Sequence, residues 1–130
     1  MKTKITVSLP TRNRYYSTLS MSLTSILNQT LLPYEIILVD DNEKKEFFNI
    51  EIYKNLISFM KLKGVKFSYY EGQSKGQVWA QQIALEKCSS DFLLKIDDDN
   101  ILESNVLEVL YNTIIKDENT IAVSGLIFCC

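Results

Sequence analysis

Three aspartates stand in a row at Asp97, Asp98 and Asp99, directly after the apolar segment Phe92 to Ile96. Like charges at the end of a buried strand repel one another and resist desolvation unless a cation or hydrogen bonds compensate. A hard divalent cation is the natural compensation, and an all-oxygen donor set favours Mn²⁺ or Mg²⁺, ions that keep water and share substrate phosphates. If strand geometry persists through the triplet, Asp97 and Asp99 fall on one face and Asp98 on the other, so two carboxylates converge on one ion. The plainer reading is a solvated acidic loop whose charge suits the N-terminus of the following helix.

Three more polar groups sit where apolar runs end. Thr11, Arg12, Asn13 and Arg14 follow Pro10 and offer hydroxyl, guanidinium and amide groups suited to a base, ribose or phosphate, or else form a plain polar turn. Asp40 and Asp41 follow Ile36 to Val39, as a site or as turn and cap residues. Gly76, after Lys75 and before a helix, could let backbone N–H groups approach an anion. Trp79 and the Tyr69-Tyr70 pair read first as core or sheet residues. The sequence has no histidine, which excludes Ser-His-Asp and Cys-His nucleophile systems and histidine-ligated metals, so any chemistry falls to carboxylates.

The elements that must position these groups alternate regularly. Ile5, Val7 and Leu9 alternate with Thr6 and Ser8 and predict a strand closed by Pro10. Leu19, Leu23, Ile26 and Leu27 predict a helix over about 17–28. Ile36 to Val39 is a continuous apolar run, as in a strand buried on both faces. Tyr53, Leu56, Ile57 and Met60 predict a second helix ending at Gly64, followed by a strand over 65–70 and a helix through Trp79, Ala80, Ile83, Ala84 and Lys87. A fourth strand over 92–96, a fourth helix through Val106, Leu107, Leu110 and Ile114, and a fifth strand over 121–128 complete the pattern. Strand-helix alternation argues for an open, mainly parallel α/β sheet with helices on both faces, Rossmann-like, with ligands at the carboxyl ends of the strands.

With 130 residues, 46% hydrophobic and 23% charged, the chain has the size and composition of one globular domain, here 1–130. A formal charge of -2 offers no general attraction to nucleic acid or an anionic membrane. No apolar run approaches the ~20 residues of a membrane-spanning helix, and no signal-peptide core opens the chain, so the expected compartment is the cytoplasm. Three cysteines, with Cys129 and Cys130 adjacent, make neither a disulfide framework nor a zinc spacing and are expected to be reduced packing residues. The apolar stretch Leu126 to Cys130 lacks the polar cap expected at a sheet edge, and the chain reads as part of a longer one.

Taken together, three segments resemble the family-2 glycosyltransferases with the GT-A fold: Pro10-Thr11-Arg12-Asn13-Arg14; Asn28-Gln29-Thr30 through Tyr34-Glu35-Ile36-Ile37-Leu38-Val39-Asp40-Asp41-Asn42; and the strand 92–96 leading into Asp97-x-Asp99. The resemblance covers almost the entire chain. It implies a nucleoside-diphosphate-sugar-binding domain, UDP-sugar favoured, in which Pro10, Thr11, Arg12 and Asn13 line the nucleotide pocket and Asp41 contacts the base with Asp40 beside it. Gly76 would lie near the phosphates, Asp97 and Asp98 would contact ribose, phosphate or sugar, and Asp99 would hold the metal that bridges the diphosphate. The full-length enzyme would transfer a hexose to a saccharide, lipid or protein acceptor. Its general base would lie beyond Cys130, making this part inactive alone and leaving membrane association to missing C-terminal regions. Arg12 stands where many members have an aromatic, and Ala80-Gln81-Gln82 replaces the usual Ala-Arg-Asn. The alternative is a degenerate nucleotide-binding or assembly module without transfer activity. A receiver-type phosphoacceptor domain would want its acidic pair after the first strand, and a nucleotidyltransferase would want a glycine-rich opening loop.

Overall fold

The computed structural model describes residues 5–125. Four strands, β1 (Ile5–Thr11), β2 (Glu35–Asp40), β3 (Lys66–Glu71) and β4 (Phe92–Lys95), form one sheet in the order β3-β2-β1-β4, with every neighbouring pair parallel. Helices α1 (Leu19–Leu27), α2 (Glu51–Lys63), α3 (Gln77–Lys87) and α4 (Val106–Ile114) follow the four strands in turn. The order reverses at β1, which pairs β2 on one side and β4 on the other. That reversal opens a crevice at the carboxyl ends of these strands.

The two central strands are buried along almost their whole length, which is why they read as apolar. Val7, Leu9, Ile36 and Leu38 face α1, α2 and α4 and pack with Leu19, Leu23, Ile26, Leu27, Tyr53, Met60 and Leu107. Ile37 and Val39 face the opposite way, against Ala80 and Ala84 of α3. Each fully buried Leu or Ile contributes about 1.5–3 kcal/mol, so the larger of the two layers dominates the fold. Helix α2 ends at Gly64, whose φ of 72° is the left-handed conformation that closes a helix.

The structure differs from the expected elements in three places. β1 continues through Pro10 to Thr11 instead of stopping at the proline. The Ser8 carbonyl points to β4, accepting Ile96 N–H at 3.0 Å, and the Thr11 carbonyl points to β2, accepting Asp41 N–H at 2.9 Å. By alternation the Pro10 nitrogen faces the β4 side, where pairing has already ended at Ser8, so no ladder bond is lost. A one-turn 3₁₀ helix at Phe47–Asn49 was not legible as an element. Within the expected fifth strand, residues 121–125 form no strand, and the rest of it, with Cys129 and Cys130, lies outside the described residues.

Candidate functional site

The adjacency of β1 and β4 brings the segment after one strand against the segment after the other. Thr11 Oγ1 donates to Asp98 Oδ2 at 3.0 Å, and the Arg12 backbone N–H donates to the same oxygen at 3.2 Å. Arg14 Nε lies 4.0 Å from Asp98 Oδ1. Burial raises the Asp98 pKa above the ordinary carboxylate value, while the Arg12 N–H, the Thr11 hydroxyl and the Arg14 charge pull it down and neighbouring Asp99 pushes it up. Asp98 is thus held from the β1 side by both a side-chain and a backbone donor.

Strand geometry does not persist through the triplet. β4 stops at Lys95 and the chain turns, with Asn100 N–H donating to the Asp97 carbonyl at 3.2 Å and the Asn100 side chain accepting Asp97 N–H at 2.8 Å. The alternation expected for Asp97 and Asp99 therefore does not operate. A turn satisfies the backbone at a sheet corner where no further strand partner is available. Asp97 Oδ1 accepts Gln77 Nε2 at 2.9 Å, tying the turn to the first residue of α3, and Asp97 and Asp99 are both exposed. Among the described residues no three carboxylate, thiolate or imidazole groups converge as a ready metal cage. The donor set suits a cation that takes one or two carboxylates and completes its shell with water and phosphate oxygens, the habit of Mg²⁺ and similar ions.

Around this turn lies an open cavity of about 310 Å³ lined by Pro10, Thr11, Arg12, Asp41, Gly76 and the three aspartates, among others. Gly76 has φ 87° and nothing within 4 Å of a built Cβ, so the glycine is required by its backbone conformation and not by crowding. Asp41 is buried; its Oδ1 accepts Ser74 N–H at 2.7 Å, and its Oδ2 lies 3.6 Å from Arg12 Nη1. Asn13, with φ 57°, lines a neighbouring cavity of about 560 Å³ together with Arg12, Tyr16 and Glu43.

Asp40 is placed differently from its expected neighbourhood. Its side chain is wholly buried on the α1 and α2 side of the sheet and accepts from Tyr15 OH, from Tyr69 OH at 2.7 Å, and from Asn42 through the backbone N–H at 3.1 Å and Nδ2 at 2.7 Å. Side-chain alternation sends Asp40 inward as it turns Asp41 toward the cavity. Asn42 also accepts Asn13 N–H at 2.6 Å, so one buried network ties the loop after β1 to the loop after β2. Burial and the Asp40 charge push the pKa values of Tyr15 and Tyr69 well above the ordinary tyrosine value.

Tyr15, Tyr69, Asn42, Gln77 and Ser74 were not among the expected site residues. Tyr15 and Asn42 flank motif residues, a signal that could have found them; Ser74 acts through its backbone and carries none. Trp79 lies partly exposed beneath Lys75, whose Nζ is 4.6 Å from the ring centroid, and Tyr70 packs against the α3 layer.

The sequence model of Glycosyl transferase family 2 matches residues 6–129. The chain is 32% identical over 114 residues to the poly(ribitol-phosphate) beta-N-acetylglucosaminyltransferase TarP of Staphylococcus aureus (strain N315), covering 84% of this chain and 32% of TarP. Its fold matches S. aureus TarS 1-349 in complex with UDP-GlcNAc, at TM-score 0.68 and 21% identity over 87% of this chain and 31% of that one. It equally matches the mannosyltransferase PcManGT of Pyrobaculum calidifontis in complex with GDP-Man and Mn²⁺, at TM-score 0.68 and 16% identity over 91% of this chain and 34% of that one. The chain spans 14% to 42% of the length of the curated relatives it matches. Among the described residues no helix is long and apolar enough to cross a membrane.

Proposed function

The chain belongs to glycosyltransferase family 2, and from that premise we propose that it binds a nucleoside-diphosphate sugar, UDP-sugar by preference, for transfer of the sugar by the full-length protein. The observation that carries this reading is the meeting of Thr11 and Arg12 with Asp98 at the rim of a cavity that also holds Asp41, Gly76, Asp97 and Asp99. The ligands of the two structural neighbours, UDP-GlcNAc in one and GDP-Man with Mn²⁺ in the other, support the substrate class.

In this reading Asp41 accepts from the base, Thr11 and Arg12 flank the nucleotide, and the Gly76 backbone lies beside phosphate. Asp99, with Asp97, would hold Mn²⁺ or Mg²⁺, which when bound neutralises the leaving nucleoside diphosphate as a Lewis acid. Asp98, fixed by Thr11 and Arg12, orients toward ribose or sugar. Three carboxylates and a diphosphate repel one another without a cation between them, so metal and nucleotide tighten each other's binding.

Calorimetry of UDP binding with and without Mn²⁺ tests this reading. Affinity should rise when Mn²⁺ is added; Asp99→Asn should abolish most of that rise, and Asp41→Ala should instead weaken discrimination between bases. Tight UDP binding that ignores both Mn²⁺ and Asp99→Asn would remove the aspartate turn from the mechanism.

A further inference from the structure

We propose that Arg12 reads the nucleotide base, and that its guanidinium, paired with the Asp41 carboxylate, selects the keto bases uracil and guanine over the amino bases cytosine and adenine. The inference rests on the nucleotide-binding reading above and goes beyond it in naming the reader and the chemical class it accepts.

The backbone of Arg12 is pinned by its N–H bond to Asp98, so the side chain starts from a fixed point. It reaches to Asp41, with Nη1 3.6 Å from Oδ2, and to Glu43, with Nη2 3.9 Å from Oε1. Both separations are longer than a direct hydrogen bond, so the guanidinium faces these carboxylates without being locked to either. Asp41 Oδ1 is engaged by Ser74 N–H, leaving Oδ2 as the oxygen turned to Arg12. Arg12 is also the residue shared by the linings of the aspartate cavity and its larger neighbour, and so forms the partition between them. A base entering beside Asp41 must meet this side chain.

The chemistry of the pair sets what it accepts. Guanidinium only donates and a carboxylate only accepts. Uracil and guanine present a carbonyl oxygen next to a ring N–H, which matches donor and acceptor in turn. Cytosine and adenine present an amino group next to an unprotonated ring nitrogen, so in the same pose a donor meets a donor and an acceptor meets an acceptor. A site built to hydrogen-bond rejects such a ligand because its own polar groups are left unpaired. Arg12 is half-exposed and its ion pairs are loose, so removing it should leave the fold intact.

UDP and CDP share sugar and diphosphate and differ only at the base edge, which makes them the probe pair. In calorimetry with Mn²⁺, the wild-type chain should favour UDP over CDP by about tenfold or more, the worth of roughly one well-placed hydrogen bond. Arg12→Met should bring UDP most of the way down toward CDP while CDP stays put, the smaller remaining preference being that of Asp41, which Ser74 N–H still holds in place. Arg12→Lys, which keeps the charge but loses the planar fork, should retain only part of the preference. Glu43→Gln should leave the ratio unchanged. Equal weakening of both nucleotides by Arg12→Met would reduce Arg12 to general phosphate attraction, and equal tightening would make it a plug; either result overturns the proposal. If wild-type chain bound neither nucleotide, the nucleotide-binding reading would fall with it, whereas binding with a ratio indifferent to Arg12 would sink this inference alone.

Discussion

A Cβ placed on Gly72 would lie 2.5 Å from Oδ1 of Asp41 and 3.2 Å from its Cα. The contact is fixed from both sides, because Gly72 N–H donates to the Asp40 carbonyl at 2.7 Å and the same Asp41 oxygen accepts Ser74 N–H. Gly72→Ala should therefore push the carboxylate off its position. We expect a stability loss of about 1–3 kcal/mol in urea unfolding, the usual cost of overpacking, together with weaker UDP binding. An alanine variant with unchanged stability and affinity would show that the loop yields freely.

Thr11 and Asp98 come from segments 87 residues apart in sequence, and the hydroxyl is, among the described residues, one of two hydrogen-bond donors to that carboxylate. Thr11→Val keeps the shape and deletes the donor. Loss of a bond to a charged group costs about 1.5–3 kcal/mol, less here because Asp98 is only partly buried. The carboxyl pKa, already raised by burial, should rise further, which carboxyl resonances followed by NMR through an acid titration would reveal.

The layered order of the fold was legible because its central strands are buried on both faces and its helices keep strict periodicity. Leu19, Leu23, Ile26 and Leu27 reported α1, and Ile36 to Val39 reported β2. The adjacency of β1 and β4 is the reversal of strand order at which open α/β sheets place their ligand crevice. The inward turn of Asp40 was less legible, since two adjacent aspartates look alike until alternation and the tyrosines that receive one of them are both known. The turn at Asp97 to Asn100 was equally hidden, because its capping bond comes from the side chain of Asn100 itself. The 3₁₀ turn at Phe47 exists through tertiary packing, its ring stacked on Tyr53 at 4.6 Å and on Tyr69 at 5.6 Å, and local sequence carries no trace of such partners.

Alkaline pH should unfold the chain cooperatively. Tyr53 is pushed up to about 12 by burial, and Tyr15 and Tyr69 higher still, by burial and by the Asp40 carboxylate they bond. In the unfolded chain all three return to the ordinary value of 10.0. Their neutral forms are favoured by folding, so their contribution is fully present below pH 10.0 and is lost as pH climbs from there toward the folded values. Tyrosinate absorbance from these rings should appear together with the loss of helical circular dichroism. Tyr69→Phe should soften the steepness of the transition; tyrosinate signal from all three rings before any unfolding would contradict the burial argument.

Gln29 holds the segment that follows the aspartate turn. Its buried side chain donates to the carbonyls of Ser25 at 3.1 Å and Glu103 at 2.6 Å and accepts Leu107 N–H at 3.1 Å, linking the end of α1 to the start of α4. Thr30 N–H reinforces the link by donating to the Ser104 carbonyl at 2.7 Å. Gln29→Leu fills nearly the same volume but deletes all three side-chain bonds and strands the Leu107 N–H. At about 1 kcal/mol for each net bond, the expected loss is about 3 kcal/mol. A merely local defect would lower global stability and nothing else. Because residues 101–106 connect directly to Asp97, Asp98 and Asp99, the loosened segment should also speed amide hydrogen exchange at Leu107 and reduce the Mn²⁺-dependent part of UDP affinity more than the metal-independent part. Exchange at Leu107 unchanged in the variant would mean that packing of Leu107 against the sheet, and not Gln29, sets the position of that segment.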